Sequence, residues 1–348
     1  MSMLTIVVAV GVILCSTGCS GAAPPVSPTV EFTGPTMGTT FSVKVVPGPA
    51  GLDVAERQAI DRAIRDQLVR IDQQVSTWRV DSTLSTFNAS ESVDAAHVEP
   101  ETFELFRQAL ELGVFTNGAV DITIGPLVDA WGLGANGQAD VAPTDASLAA
   151  LDGALGVELI ALDEAARTVR KRDPRVRCDF SALAAGYAAD LVAGMLDQRG
   201  QQNFLVDMGG ELVARGRNAS GRAWQVAVER PQSTGRSIAR TVTLTDMAIA
   251  TSGDYRNFRV VDGRRVSHIL DPRTRRPVTH HLASVTVLDR SAARADALST
   301  ALMVMGPDEG LAFAERHGLA ALLLVPDARG AYTEQASTAF TAWMAGAS

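Results

Sequence analysis

Along this chain the spacing of apolar residues switches repeatedly between two and about 3.6 without settling into a strand–helix–strand rhythm, and that irregular order most restricts the folds open to it. "TTFSVKVV" sets Phe41, Val43 and Val45 on one side of an opening strand. "LDVAERQAIDRAIRDQLVRIDQQVS" carries Ile60, Ile64, Leu68 and Ile71 at helical spacing with charges opposite, which predicts an amphipathic helix. A second helix, "PETFELFRQALELGVFTNG", places Phe103, Phe106, Ala109 and Leu110 on one face and stops at Gly118. Short strands follow in "VELIALDEAARTVRKRD", then a small-residue helix, "SALAAGYAADLVAGMLDQRG". Strands dominate from Phe204 to Val287, joined by turn signals such as "ASGR" and "DGRR", and a last pair of helices with the strand "LAALLLVP" closes the chain. No repeat is visible and no GxGxxG follows a strand, so the pattern favours an α+β fold over a doubly wound sheet.

A chain of 348 residues, 46% hydrophobic and 20% charged, has room for one large domain or two medium ones. Its net charge of −8 and isoelectric point near 5.2 leave no basic stripe to neutralise a phosphate backbone, which excludes nucleic acid as a default partner. Leu4 to Leu14 is an apolar run of 11, shorter than the ~20 residues a span needs but suited to a secretory signal. The "CSTGCSG" after it resembles a bacterial lipobox ending at Cys19, although Ser16 stands where such motifs have leucine and no Lys or Arg precedes the run. The expectation is a signal over residues 1–18, a flexible Pro/Ser/Ala tether over 19–30 and a domain over 31–348, held outside the cytoplasm on the membrane by a lipid on Cys19. An uncleaved anchor and a plain secretory signal are the alternatives. With Cys15 removed and Cys19 lipidated, Cys178 is left alone and no disulfide is expected within the domain.

Six stretches are richer in Gly, Asp, Ser and Thr than a core requires. They are "TMGTTF" (36–41), "DITIGPLVDAWGLG" (121–134), "CDFSALAAGYAAD" (178–190), "VDMGGELVARG" (206–216), "ATSGDYRNFRVVDGRRVSHILDPRT" (250–274) and "ADALST" (295–300). In the last, Asp296 and Thr300 lie four apart and share a face on a helix. Spacing alone does not separate such a pair from two idle polar groups.

Taken together and in order, the blocks resemble those of the ApbE-type flavin transferases, from about Thr36 to Ala312. The resemblance implies a single large α+β domain with antiparallel-rich sheets and packed helices. The implied activity is Mg²⁺-dependent transfer of FMN from FAD to a Thr or Ser hydroxyl of an acceptor flavoprotein of the cell envelope, releasing AMP. Carried over residue by residue, Asp296, Thr300 and the carbonyl of Ala182 are the implied metal ligands, with Ser299 a further candidate. The implied FAD contacts are Met37, Trp78, Ala119, Val120, Asp121, Asp179, Ala185 and Leu270. Mg²⁺ suits such a set, since it takes hard oxygens, one or two carboxylates and substrate phosphates. Trp78 can wall a flat ring by stacking.

Two positions depart from the pattern. Ala185 stands where relatives commonly have Lys or Glu. Arg275 stands where they usually have Gly, so that turn either avoids a positive φ or is strained. His268, between "RRV" and "ILDP", is the histidine singled out to orient or deprotonate the incoming hydroxyl or to bind a phosphate oxygen, with a structural hydrogen bond as its alternative role. His97, His280, His281 and His317 fall in surface-looking sequence, and Asp254, Tyr255 and Arg256 are expected to shape the site. Catalysis is thus expected from His268 and Asp296. A metal-dependent FAD pyrophosphatase and a non-catalytic FAD-binding lipoprotein are the competing readings.

Overall fold

The computed structural model describes residues 28–135, 141–231, 237–254, 258–261, 264–327 and 331–346. The expected signal, the tether as far as residue 27, and Tyr255 and Arg256 lie outside the described residues.

Among the described residues, eight strands form one sheet in the order Val30–Thr36, Thr39–Val45, Phe204–Met208, Glu211–Arg215, Met247–Gly253, Ser284–Asp289, Ala320–Pro326 and Tyr332–Ala336. Every neighbouring pair is antiparallel. Strands from both ends of the chain share this sheet, so the fold is a single α+β domain, as the mixed periodicity indicates.

Alternation along the strands sorts the two faces. Val43, Val45, Val206, Val213, Ala248, Ala250, Val285 and Val287 pack in one core with the helices Val54–Val75, Pro100–Phe115, Ala184–Gln198 and Ala292–His317. Ala214, Ile249, Leu288, Leu322 and Leu324 pack on the other side with the hairpin Trp224–Glu229/Ile238–Leu244 and the helix Thr338–Gly346. The result is three layers with the sheet in the middle.

The Val54–Val75 helix begins at a capping box in which Asp53 Oδ1 accepts from Glu56 N at 2.8 Å and Asp53 N donates to Glu56 Oε2 at 2.9 Å. Its buried stripe is the one the periodicity predicts, including Ile60, Ile64, Leu68 and Ile71. Truncating a fully buried member such as Ile64 to Ala costs about 2–5 kcal/mol.

One strand has no counterpart in the periodicity. Val30–Thr36 contains Gly34 and Pro35, which ordinarily argue against a strand, but it lies at the edge of the sheet, where a missing N–H is tolerated. It joins the next strand through Met37 (φ 44°) and Gly38 (φ 75°), a tight two-residue turn of the kind that matches strand twist. Because the sheet is antiparallel, this turn, the Gly209–Gly210 turn, the end of Met247–Gly253 and the start of Ser284–Asp289 lie at one end of it.

The Ala292–His317 helix crosses that end and breaks at Gly306 (φ 81°), followed by Pro307. A Cβ at Gly306 would lie 2.7 Å from Cδ2 of His280. His280 is therefore held against the kink, half-buried, rather than in the surface position its sequence suggests.

Candidate functional site

The helix carrying Asp296 and Thr300 is fixed at its start by a neighbour. Asp190, on the Ala184–Gln198 helix, accepts from Ser291 Oγ (2.7 Å), Ala292 N (2.8 Å) and Ala293 N (3.0 Å). A carboxylate at a helix N-terminus satisfies orphan amides and faces the positive end of the dipole. Burial nevertheless pushes the Asp190 carboxyl up, against the pull of those bonds. The two helices touch backbone to backbone, because Gly186 leaves no room for a side chain over Ala292.

One turn further on, Oδ2 of Asp296 accepts from Gly186 N at 3.1 Å. That amide is one of the orphan N–H groups in the first turn of the Ala184–Gln198 helix, which begins two residues after Ala182, and Asp296 satisfies it. Asp296 is thereby drawn to the segment that holds the Ala182 carbonyl. Burial raises the Asp296 carboxyl well above its usual range, and the carboxylate of Glu211 raises it further. Glu211 itself is pushed up to about 7, first by burial and then by Asp207. Burial thus raises both acids, and the Glu211 charge makes ionisation of Asp296 harder still.

Around them stand hydroxyls. Ser252 Oγ lies 2.7 Å from Ser299 Oγ and 3.0 Å from Thr300 Oγ1, and Ser299 Oγ donates to the carbonyl of Asp296 at 2.9 Å. All the available donors here are hard oxygens. Among the described residues no three His, Cys, Asp or Glu side chains gather into a cage. Carboxylate, hydroxyl and backbone oxygen are the ligand types that suit Mg²⁺, which retains waters and takes substrate phosphates.

The remaining implied contacts fall into groups. Met37 sits at its hairpin tip with a left-handed φ, and the neighbouring Gly209 turn packs close, its amide donating to Thr40 O at 3.1 Å. Ala119, Val120 and Asp121 are buried after the Pro100–Phe115 helix, and Asp179 N donates to Ile122 O at 2.7 Å, joining these two blocks. Asp121 turns back on its own segment, accepting from Thr123 N (2.8 Å) and Oγ1 (2.7 Å), while burial raises it. Asp179 accepts from Ser181 N at 2.7 Å. Ala185 is half-buried beside Gly186.

Leu270 lies in a separate apolar cluster with Leu127, Trp131 and Leu148. Its neighbour Asp271 pairs with Arg273 at 3.0 Å, and Arg273 reaches Glu309 at 2.9 Å, tying this hairpin to the far half of the Asp296 helix. Trp78 stands apart on the loop after the first helix, 72% exposed.

His268 faces Asp254, with Nδ1 3.8 Å from Oδ1, and Ser267 Oγ donates to the same Oδ1 at 2.8 Å. Asp254 follows Ser252 by two residues, so this pair borders the hydroxyl cluster along the chain.

The Arg275 turn takes the strained alternative. Its φ is 59°, where glycine is favoured. The surroundings hold it there: Trp131 Nε1 donates to Arg275 O at 3.1 Å, and the guanidinium pairs with Asp152 and donates to Leu148 O at 3.4 Å.

Glu211, Ser252 and Asp190 are the members that reading by sequence passes over. Each lies inside a block already marked as unusual, but Glu211 follows a Gly-Gly pair that reads as a turn. Ser252 and Asp190 act across elements that no local spacing links.

Comparison with known proteins extends the picture. The ApbE family matches residues 37–323. A Vibrio cholerae protein named FAD:protein FMN transferase is 39% identical over 333 residues, covering 96% of this chain and 97% of that protein. One of the same name from Escherichia coli K12 is 36% identical over 296 residues, covering 84% of this chain and 83% of that protein. Among solved structures, the flavin transferase ApbE from Vibrio cholerae superimposes with a TM-score of 0.82 at 39% identity, covering 91% of this chain and 99% of that one. The apo flavinyl transferase ApbE of Pseudomonas stutzeri also gives 0.82, at 38% identity, covering 91% of this chain and 97% of that one.

Proposed function

Because the chain belongs to the ApbE family, we propose that it is an FAD:protein FMN transferase, moving FMN from FAD to a Thr or Ser hydroxyl of an acceptor flavoprotein and releasing AMP. The observation that carries the reading is the junction at Asp296. Its carboxylate accepts from Gly186 N, an orphan amide in the first turn of the helix that follows Ala182, with the Thr300 hydroxyl one turn away on its own helix. Asp296, Thr300 and the Ala182 carbonyl are the groups that would hold Mg²⁺. When bound, Mg²⁺ supplies positive charge to the oxygens of the FAD pyrophosphate.

The chain's own part is positioning. Met37, Ala119, Val120, Asp121, Asp179, Ala185 and Leu270 frame the nucleotide, and the exposed ring of Trp78 offers a stacking face. His268, with Nδ1 3.8 Å from Asp254 Oδ1, takes the proton of the acceptor hydroxyl. The hydroxyl oxygen bonds to the FMN-side phosphorus as the bond from that phosphorus to the AMP oxygen breaks. AMP leaves with the bonding pair, and the proton stays on His268. Little covalent chemistry is asked of the protein, so alignment and charge carry the rate.

Residues 1–18 are read as a signal and 19–30 as a tether from a lipidated Cys19, which puts the domain, 31–348, and its acceptor in the cell envelope. The mass of the mature N-terminal peptide tests this part separately.

The activity is tested by incubating the purified chain with FAD, Mg²⁺ and an acceptor flavoprotein. The expected result is covalent FMN on the acceptor with equimolar AMP, both lost in Asp296→Ala. AMP with free FMN and an unmodified acceptor makes the protein a pyrophosphatase instead. FAD binding with no AMP makes it a flavin-binding lipoprotein. Either result overturns the transferase reading.

A further inference from the structure

Three hydroxyls meet at the site: Ser299 Oγ, fully buried, and Thr300 Oγ1 from the helix, with Ser252 Oγ from the end of the strand Met247–Gly253. Each has one proton and two lone pairs. Their protons can be assigned in order, because one bond in the set has a partner that can only accept. Ser299 Oγ lies 2.9 Å from the carbonyl oxygen of Asp296, so Ser299 gives its proton there. In the 2.7 Å contact with Ser252, Ser299 is then the acceptor and Ser252 the donor. With its proton spent, Ser252 can only accept in the 3.0 Å contact, and Thr300 donates. The chain runs Thr300 to Ser252 to Ser299 to the backbone of Asp296.

We infer that Ser252 is a positioning residue that draws the Thr300 proton away and so turns the Thr300 lone pairs toward the cation, while Ser299 serves as the anchor of the chain and not as a metal ligand. The inference rests on the proposed Mg²⁺ site of Asp296 and Thr300. A neutral hydroxyl coordinates a cation through a lone pair, and its own proton has to point elsewhere. Left without an acceptor, the Thr300 hydroxyl can rotate its proton toward the positive ion. Partners that orient metal ligands typically change metal affinity by about 10–100-fold when removed. Ser252 has no contact of its own with the metal in this scheme, so its whole effect passes through Thr300.

The test is the Mg²⁺ dissociation constant of the full chain loaded with FAD and no acceptor, measured by titration calorimetry, with thermal unfolding run alongside to verify folding. Ser252→Ala is expected to weaken Mg²⁺ binding about 10-fold, and Ser252→Thr, which restores a hydroxyl, to recover most of it. Ser299→Ala, which removes the far end of the chain but leaves Thr300 its acceptor, costs less than Ser252→Ala. Thr300→Val weakens binding by itself, and adding Ser252→Ala to it brings less than about a twofold further loss, since residues acting through one another are not additive. A full additive loss in the double variant, or unchanged affinity in Ser252→Ala when Thr300→Val is impaired, overturns the inference and leaves the metal site standing. Unchanged affinity in Thr300→Val removes Thr300 from the metal site and the role of Ser252 with it.

Discussion

Gly186→Ala adds one methyl group to the tightest backbone approach around the site. The new Cβ would fall 2.3 Å from Ala292 O, 2.5 Å from its carbonyl carbon and 2.8 Å from Cα of Ala293. These are main-chain atoms of the first turn of the Asp296 helix, with no flexible side chain to give way. Reaching ordinary contact at about 3.5 Å needs a separation of roughly 1 Å between the two helices. The Gly186–Asp296 bond is 3.1 Å, and the Asp190 bonds to Ser291, Ala292 and Ala293 run from 2.7 to 3.0 Å, so that shift takes them past hydrogen-bonding range. Overpacking of this kind costs about 1–3 kcal/mol, and a lost bond to a charged group about 1.5–3. Improved helix propensity returns about 1. A net loss of about 3 kcal/mol is expected, together with a transfer rate lower by about 100-fold, since a misplacement near 1 Å has that effect on a positioned reaction. Gly194 on the same helix provides the control, having no atom within 4 Å of its built Cβ. Gly194→Ala is expected to gain about 0.5–1 kcal/mol. Urea unfolding with matched m-values separates the two variants by roughly 3–4 kcal/mol on this reasoning. Equal midpoints would refute the claim that helix-to-helix contact at Gly186 sets the position of Asp296.

Without metal, in a chelator, stability is expected to fall as pH rises from about 4.5 through about 7, because burial, and then the Asp207 charge, raise the proton affinity of Glu211 in the folded state. Glu211→Gln flattens that slope, and a slope unchanged in the variant excludes Glu211 as its source. Arg275→Gly relieves a left-handed φ worth about 1 kcal/mol and forfeits a partly exposed ion pair worth about 0.5. Its urea midpoint therefore stays close to that of the parent, while Arg275→Ala, which keeps the strain and loses the pair, unfolds earlier. Trp78→Ala raises the KM for FAD by about 2–10-fold through lost stacking and leaves the unfolding midpoint unchanged, since the ring is 72% exposed; Trp78→Tyr retains most of the affinity.

The elements that declared themselves along the chain are those whose burial is one-sided. Ile60, Ile64, Leu68 and Ile71 repeat at helical spacing because one stripe of that helix enters the core, and Phe41, Val43 and Val45 alternate because one face of their strand does. The strand Val30–Thr36 escaped because Gly34 and Pro35 are permitted only by its place at the sheet edge, and a place in a sheet is a property of topology, not of local sequence. The site divides in the same way. Asp296 and Thr300 are visible as a pair because a helix carries both, and periodicity converts four positions into one face. Ser252 lies on a strand 48 residues before Thr300, Glu211 beyond a glycine turn, and Asp190 on another helix. Ser252 and Glu211 come from strands of the sheet that the Asp296 helix packs on, and Asp190 from the helix beside it.

The contributions missing from local spacing are also the ones that give the site its direction. Asp296 and Thr300 supply two oxygens on one face, but helix geometry leaves open where the hydroxyl proton points and how the carboxylate is turned. The Gly186 amide orients the carboxylate from a second helix, at 3.1 Å. Ser252 is the acceptor that accounts for the Thr300 proton from a strand, at 3.0 Å. Asp190 holds the first turn of the helix by three bonds, so both settings are referred to the same frame. A change in any one of these partners leaves the Asp296–Thr300 spacing intact and still alters which atoms the pair presents.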